Sequence, residues 1–188
     1  MNGRVIILDG KPHKLKICMI GEKAVGKTSL VKRYIFNEFD DKYLTTIGTK
    51  VAKKEIKIKH PKNNEMLNVQ LLIWDIIGQK GFRQLLKEAY FLGAQGIIGV
   101  CDNTREITLS DLQSWIEAVH NVTEEKIPIV FLGNKYDLKN DQEVGLSELK
   151  SFASRYEKSV PYLSSAKTGE NVELAFKTLS KKILEDMF

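Results

Sequence analysis

The chain has 188 residues, 43% of them apolar and 28% charged, with a formal net charge of +5. That suits one ordinary globular domain around a single core and excludes a disordered chain or two tandem domains. No run approaches the roughly 18 apolar residues of a membrane helix, and Asp9, Gly10 and Lys11 interrupt Val5–Leu8 before a signal-peptide core can form; a cytoplasmic protein is expected. Cys18 and Cys101 sit inside apolar runs, no CxxC occurs, and His13, His60 and His120 are scattered, so two buried thiols are expected, with no disulfide.

Residues 1–13 form an N-terminal extension in which Val5–Leu8 and Asp9-Gly10 suggest an extra strand of a hairpin. Lys14–Ile20 is a short apolar run ending in a glycine-rich turn, and Lys27–Phe36 carries Leu30, Val31, Tyr34 and Ile35 at helical spacing. Residues 50–59 and 66–75 read as two strands of a hairpin joined by His60-Pro61-Lys62-Asn63-Asn64. In the lysine-rich stretch, Ile56 and Ile58 alternate with Lys57 and Lys59, as in a half-buried edge strand protected by outward lysines. A surface for nucleic acid or anionic membrane is the competing reading; we adopt the first and expect no nucleic-acid partner. Gly96–Cys101, Ile127–Leu132 and Val160–Leu163 are nearly continuous apolar runs that suit strands buried on both faces of a parallel sheet. Between them lie amphipathic helices, one with Leu112, Trp115, Ile116 and Val119 behind a capping-box-like Thr108 and Asp111, another with Val172, Phe176, Leu179 and Ile183. The alternation predicts a doubly wound α/β domain with its ligands beyond the carboxyl ends of the strands.

Three strand ends carry chemistry. Gly21-Glu22-Lys23-Ala24-Val25-Gly26-Lys27-Thr28 fits GxxxxGK[ST] and opens a helix. Such a loop curls so that backbone N–H groups cradle phosphates, Lys27 reaches the β- and γ-phosphates, and the Thr28 hydroxyl binds Mg²⁺. Trp74-Asp75 closes another strand ahead of Gly78 and Gln79. Here Asp75 could supply a second Mg²⁺ anchor, the Gly78 N–H could approach a γ-phosphate and Gln79 could orient an attacking water, with an ordinary turn as the competing reading. Asn134-Lys135-Tyr136-Asp137 follows a third strand. The Asp137 carboxylate can accept from N1–H and the 2-amino group of guanine, a donor pair that adenine lacks. Ser164-Ser165-Ala166-Lys167 follows the last strand, and the Ala166 N–H is a donor for guanine O6. Together the first three motifs arise by chance in only about one in 10⁵ unrelated chains.

These residues resemble the Ras-like small GTPases, most closely the Rab branch, from about Lys14 to the end. Further echoes are Thr46-Ile47-Gly48, Leu72-Ile73-Trp74-Asp75, Gly93-Ala94-Gln95-Gly96-Ile97-Ile98 and Gly133-Asn134-Lys135-Tyr136-Asp137-Leu138. The resemblance implies an α/β P-loop NTPase fold: a three-layer sandwich with a six-stranded, mostly parallel sheet, one antiparallel edge strand and five helices, over a GTPase domain at 14–188. It implies nucleotide contacts from Glu22, Lys23, Ala24, Val25, Gly26, Lys27, Thr28, Ser29, Phe39, Tyr43, Thr46, Gly78, Asn134, Lys135, Asp137, Ser165, Ala166 and Lys167. Mg²⁺ would be held by Thr28, Thr46 and Asp75, and Gln79, Lys27 and Thr46 would carry catalysis. Phe39 would lie edge-on to the base, Tyr43 would close over the phosphates, and residues 38–48 and 76–90 would be switches. The expected function is a molecular switch that hydrolyses GTP to GDP and phosphate; the alternatives are a GTP-binding scaffold with little or no hydrolysis and an ATP-using P-loop enzyme. The expected partners are a GTPase-activating protein, an exchange factor and effectors, around a monomer. No helical insertion carries an arginine of its own, so turnover is expected to be slow until a partner supplies one, worth about 10³–10⁵ in rate.

Four departures from the family's pattern stand out. Lys23 occupies a position where Ras proper has Gly and Rab proteins often have Ser; it could bring charge to the γ-phosphate or block an incoming arginine, and blockage or extension into water is the reading adopted. Ile76-Ile77 replaces Thr-Ala, stiffening the segment, and Lys80-Gly81 replaces an acidic start that helps exchange factors expel nucleotide. The chain ends Leu184-Glu185-Asp186-Met187-Phe188, with no prenylation cysteine and no polybasic tail, so no encoded lipid anchor is expected.

Overall fold

The computed structural model describes residues 11–40, 48–63, 65–76, 78, 88–123 and 126–188. The expected N-terminal strand lies outside them, as do Tyr43, Thr46, Ile77, Gln79, Lys80 and Gly81.

The elements follow in the order β1 (His13–Ile20), α1 (Lys27–Phe36), β2 (Lys50–Lys59), β3 (Met66–Asp75), α2 (helical over 88–91), β4 (Gly96–Asp102), α3 (Ile107–Thr123), β5 (Ile129–Asn134), α4 (Leu146–Ala153), β6 (Ser159–Leu163) and α5 (Val172–Met187). A 3-10 turn spans Lys139–Asp141. One six-stranded sheet runs β2-β3-β1-β4-β5-β6. Every pairing is parallel except β2 with β3, which are antiparallel from Lys50↔Asp75 to Lys59↔Met66. The His60 N–H closes that hairpin on the Glu65 carbonyl at 2.9 Å.

Period-two alternation builds the three layers. On β1, Leu15, Ile17 and Met19 join a core with Leu30, Val31 and Tyr34 of α1 and Phe176, Leu179 and Ile183 of α5. Cys18 and Ile20 point the other way, into a second core with Leu112, Trp115 and Ile116 of α3 and Leu149 and Phe152 of α4. Tyr34 stacks on Phe176 with ring centroids 4.0 Å apart. Gly96 lets α5 lie directly on β4, since a Cβ there would meet Ile183 Cδ1 at 2.7 Å. Both cysteines are free and buried, and burial pushes each thiol up to about 12.

β4 and β5 are buried along their whole length, as continuous apolar runs require. β6 differs: it is a sheet edge, and each of its residues is only half-buried. β5 begins at Ile129, two residues later than its apolar run, because Pro128 has no N–H for the ladder. α3 begins at Ile107, so Thr108 lies inside the helix and does not cap it. The Thr108 hydroxyl instead accepts from the Asp102 N–H at 2.9 Å and donates to the Arg105 carbonyl at 2.8 Å, fixing the turn out of β4. On β2, Ile58 is buried while Lys57 and Lys59 are exposed, the arrangement expected of a lysine-protected edge.

The chain moves from β1 to β3 on one side and to β4 on the other. The loop after β1 therefore lies where strand order reverses, the place at which open α/β sheets form a crevice.

Candidate functional site

The loop after β1 is shaped by three residues with positive φ: Gly21 (133°), Ala24 (64°) and Gly26 (101°). A side chain at Gly21 would press its Cβ to 2.2 Å from the Val100 carbonyl, so glycine is required there. Ala24 adopts the left-handed region despite its Cβ, at a cost of about 1 kcal/mol. Gly26 starts α1 with no side-chain cap, leaving the first N–H groups of the helix directed at the loop.

Lys27 is only 7% exposed. Its ammonium donates to the carbonyls of Gly21 at 2.6 Å and Glu22 at 2.8 Å. Burial lowers its pKa to about 8, against the raising influence of Asp75 and Glu22. Gly78 backs directly onto this group, because a Cβ there would lie 2.6 Å from Lys27 Nζ and 2.7 Å from the Glu22 carbonyl. Thr28 Oγ1 donates to Asp75 Oδ2 at 2.5 Å. Burial pushes the Asp75 carboxyl up, opposed by Thr28, Lys27 and Lys50, and its Oδ1 is buried with no hydrogen-bond partner. A buried carboxylate oxygen beside a hydroxyl suits a hard, oxygen-seeking cation. Glu22 is anchored by Trp115, whose Nε1 donates to Glu22 Oε1 at 3.0 Å. Lys23 extends into solvent, as expected.

Asn134, 1% exposed, joins the loops after β1, β5 and β6. Its Nδ2 donates to the Val25 carbonyl at 2.9 Å, and its Oδ1 accepts from the Ala166 N–H at 3.1 Å. The same amide leaves no room for a side chain at Gly26, where a Cβ would be 2.2 Å away. Asp137 Oδ1 accepts from Ser165 Oγ at 2.5 Å, and Ser165 Oγ accepts from the Thr168 N–H at 3.1 Å. Asp137 is thereby aimed by the last loop. Phe39 is half-buried against the α1–α5 side of the core.

The sequence reading missed Asp102, Arg105 and Arg33. Asp102 is 1% exposed and accepts from Thr104 N–H and Oγ1, from Arg105 Nε at 2.9 Å and from Lys135 Nζ at 2.5 Å. Burial raises its pKa, but the bonds from Lys135, Thr104 and Arg105 win and hold it below the usual carboxylate range. Arg105 also reaches the Lys23 carbonyl at 3.3 Å, so an arginine of this chain does touch the phosphate-type loop, through a carbonyl. An acid lowered in the folded state stabilises fully above its ordinary value of 3.8, and the contribution fades as pH falls through the lower folded value. We expect Asp102→Asn to cost about 2 kcal/mol at neutral pH. The deficit should narrow when urea unfolding is repeated near about pH 3.

The described residues of this crevice join a glycine-bounded loop at a helix start, a hydroxyl–carboxylate pair at Thr28 and Asp75, and the Asp137 carboxylate held by Ser165. A profile of the Ras family matches residues 16–185, and the chain belongs to the Ras family. Within it the relatives lie in the Rab branch. The chain is 32% identical over 176 residues to Ras-related protein Rab-21 of Mus musculus, covering 94% of this chain and 76% of that one. It is 34% identical over 181 residues to Ras-related protein Rab-27B of Bos taurus, covering 93% and 82%. It is 31% identical over 172 residues to GTP-binding protein ypt4 of Schizosaccharomyces pombe, covering 92% and 72%. No described helix is long and apolar enough to cross a membrane.

Proposed function

We propose that this protein binds guanine nucleotide across the crevice and hydrolyses GTP to GDP and phosphate, with residues 38–48 and 76–90 reporting the nucleotide state to partner proteins. The observation that carries the reading is the single buried amide of Asn134, which ties the loop bearing Lys27 to the loop that aims Asp137. Phosphate and base ends of one ligand require such a shared frame.

In this reading the Lys27 ammonium exchanges its two carbonyl partners for β- and γ-phosphate oxygens, assisted by the N–H groups of residues 22–29. Asp137 accepts from guanine N1–H and the 2-amino group; the Ala166 N–H, expected to donate to O6, is held instead by Asn134 Oδ1, which leaves O6 to the Lys167 N–H. Lys135, held by Asp102, flanks the base. Thr28 and Asp75, with Thr46, would hold Mg²⁺, which when bound supplies neutralisation of charge on the phosphate oxygens. Gln79 orients the attacking water, and the Gly78 N–H donates to the γ-phosphate. The GTPase domain runs over 14–188, following an extension at 1–13. The protein acts as a monomer, with acceleration, exchange and output left to an activating protein, an exchange factor and effectors.

Single-turnover hydrolysis of GTP tests the assignment. Wild-type protein should turn over slowly, and Gln79→Leu should slow it roughly tenfold or more. Indistinguishable rates would make the protein a GTP-holding scaffold. Competition by ATP as effective as by GTP would instead assign it to the ATP-using P-loop enzymes.

A further inference from the structure

Arg33 lies on α1, in no motif, yet its guanidinium makes four hydrogen bonds. Nε donates to the Ala166 carbonyl at 2.8 Å and Nη2 to the Lys167 carbonyl at 2.6 Å. Nη1 donates to the Asn37 carbonyl at 2.9 Å and to Asn37 Oδ1 at 3.0 Å. Asn37 is itself fixed: it ends α1 at φ 56°, with its N–H on the Arg33 carbonyl at 3.0 Å. A planar guanidinium held at one corner can present its other donors in only one plane.

We infer that Arg33 is a positioning residue for recognition of the purine 6-oxo group, setting the Ser165–Lys167 loop from behind. This rests on the guanine-nucleotide reading above. The chain has no cis peptide bond among the described residues, so the Ala166 carbonyl turned toward Arg33 turns the Lys167 N–H, in the same peptide, the opposite way. Two successive carbonyls held by one rigid fork fix the tilt of the loop. Asn134 Oδ1 holds the Ala166 N–H on the other side. The loop is thus gripped between a cation behind and an amide in front. Asp137 meets the loop through Ser165 Oγ, which also accepts from the Thr168 N–H, so Arg33 reaches it only at second hand, across one further peptide and a hydroxyl. The same guanidinium also ties the base loop to Asn37, immediately before residues 38–48.

Dissociation constants for GDP, 6-thio-GDP and IDP on wild-type, Arg33→Ala and Arg33→Lys proteins test this. 6-thio-GDP keeps N1–H and the 2-amino group but offers a weaker acceptor at position 6, whereas IDP lacks only the 2-amino group that Asp137 reads. Wild type should prefer GDP over both. Arg33→Ala should release GDP roughly tenfold faster and shrink the GDP/6-thio-GDP preference at least threefold, with a smaller change in the GDP/IDP preference. Arg33→Lys, with a point charge that cannot span two carbonyls, should fall between them, and it gives the same readout if the alanine variant does not fold. Equal weakening toward all three ligands would make Arg33 a general brace and overturn the inference. So would a wild type indifferent to sulfur at position 6. Failure of wild-type protein to bind GDP at all would instead overturn the nucleotide reading itself.

Discussion

Lys27→Met should abolish useful nucleotide binding, weakening GDP by roughly 10²–10⁴-fold, while the protein stays folded. Charge-assisted bonds to phosphate oxygens contribute about 1.5–3 kcal/mol each, and the reading gives Lys27 two of them. Methionine fills nearly the same buried volume and brings no charge. Two stability effects oppose each other in the substitution. Removing the ammonium relieves a burial penalty that already lowers its pKa to about 8. It also leaves the Gly21 and Glu22 carbonyls without their donor. The melting temperature should therefore move by only a few degrees. Fluorescent-GDP titration beside a thermal melt checks both halves: unchanged affinity would remove the phosphate role, and collapse of the melt would make Lys27 structural.

Asp137→Asn should exchange guanine for xanthine. The carboxylate offers acceptors to both N1–H and the 2-amino group, whereas an amide offers one acceptor and one donor. Xanthine carries an oxygen at position 2, so the donor finds a partner there and the 2-amino group of guanine loses one. Leaving a donor unpaired at a built hydrogen-bonding site is discriminated strongly, and GDP should weaken by about 10²–10⁴-fold. Xanthosine diphosphate should then bind more tightly than GDP. The Ser165 hydroxyl, now 2.5 Å from Asp137 Oδ1, can still donate to the new amide oxygen, so the side chain should keep its orientation. Competition between the two diphosphates on the variant is the measurement; retained preference for GDP would remove Asp137 from base selection.

Much of this arrangement was legible from short-range pattern. The β2–β3 hairpin has the expected bounds because strict alternation ending in a turn cluster specifies both register and face. α1 begins at Lys27, immediately after a glycine whose φ of 101° ends the loop. α4 was harder to see. Its eight residues place only Leu149, Phe152 and Ala153 inside, too few for a period to emerge, and its start is marked by the Gly145 N–H bonding back to Glu148. β6 reads as a central strand because apolar residues say nothing about whether a neighbour lies on each side.

The site divides the same way. Lys27, Thr28, Asp75, Asn134 and Asp137 announce themselves because each closes a strand or opens a helix in a spacing that chemistry requires. Arg33 and Arg105 do not. The Arg33 bond to Ala166 spans 133 residues of chain and the Arg105 bond to Lys23 spans 82, and both end on backbone carbonyls, which any residue supplies. Only the assembled sheet reveals such partners.

The two tryptophans give the molecule built-in optical probes. Trp115 is 1% exposed, and its indole N–H rests on Glu22. Trp74, on β3, carries the Lys16 ammonium 4.0 Å above its ring. Indole emission is sensitive to the charges facing it, so one ring senses the phosphate-type loop and the other the open face of the hairpin. Replacing each in turn by phenylalanine would give a protein whose remaining ultraviolet signal follows a single end of the sheet, with no attached dye.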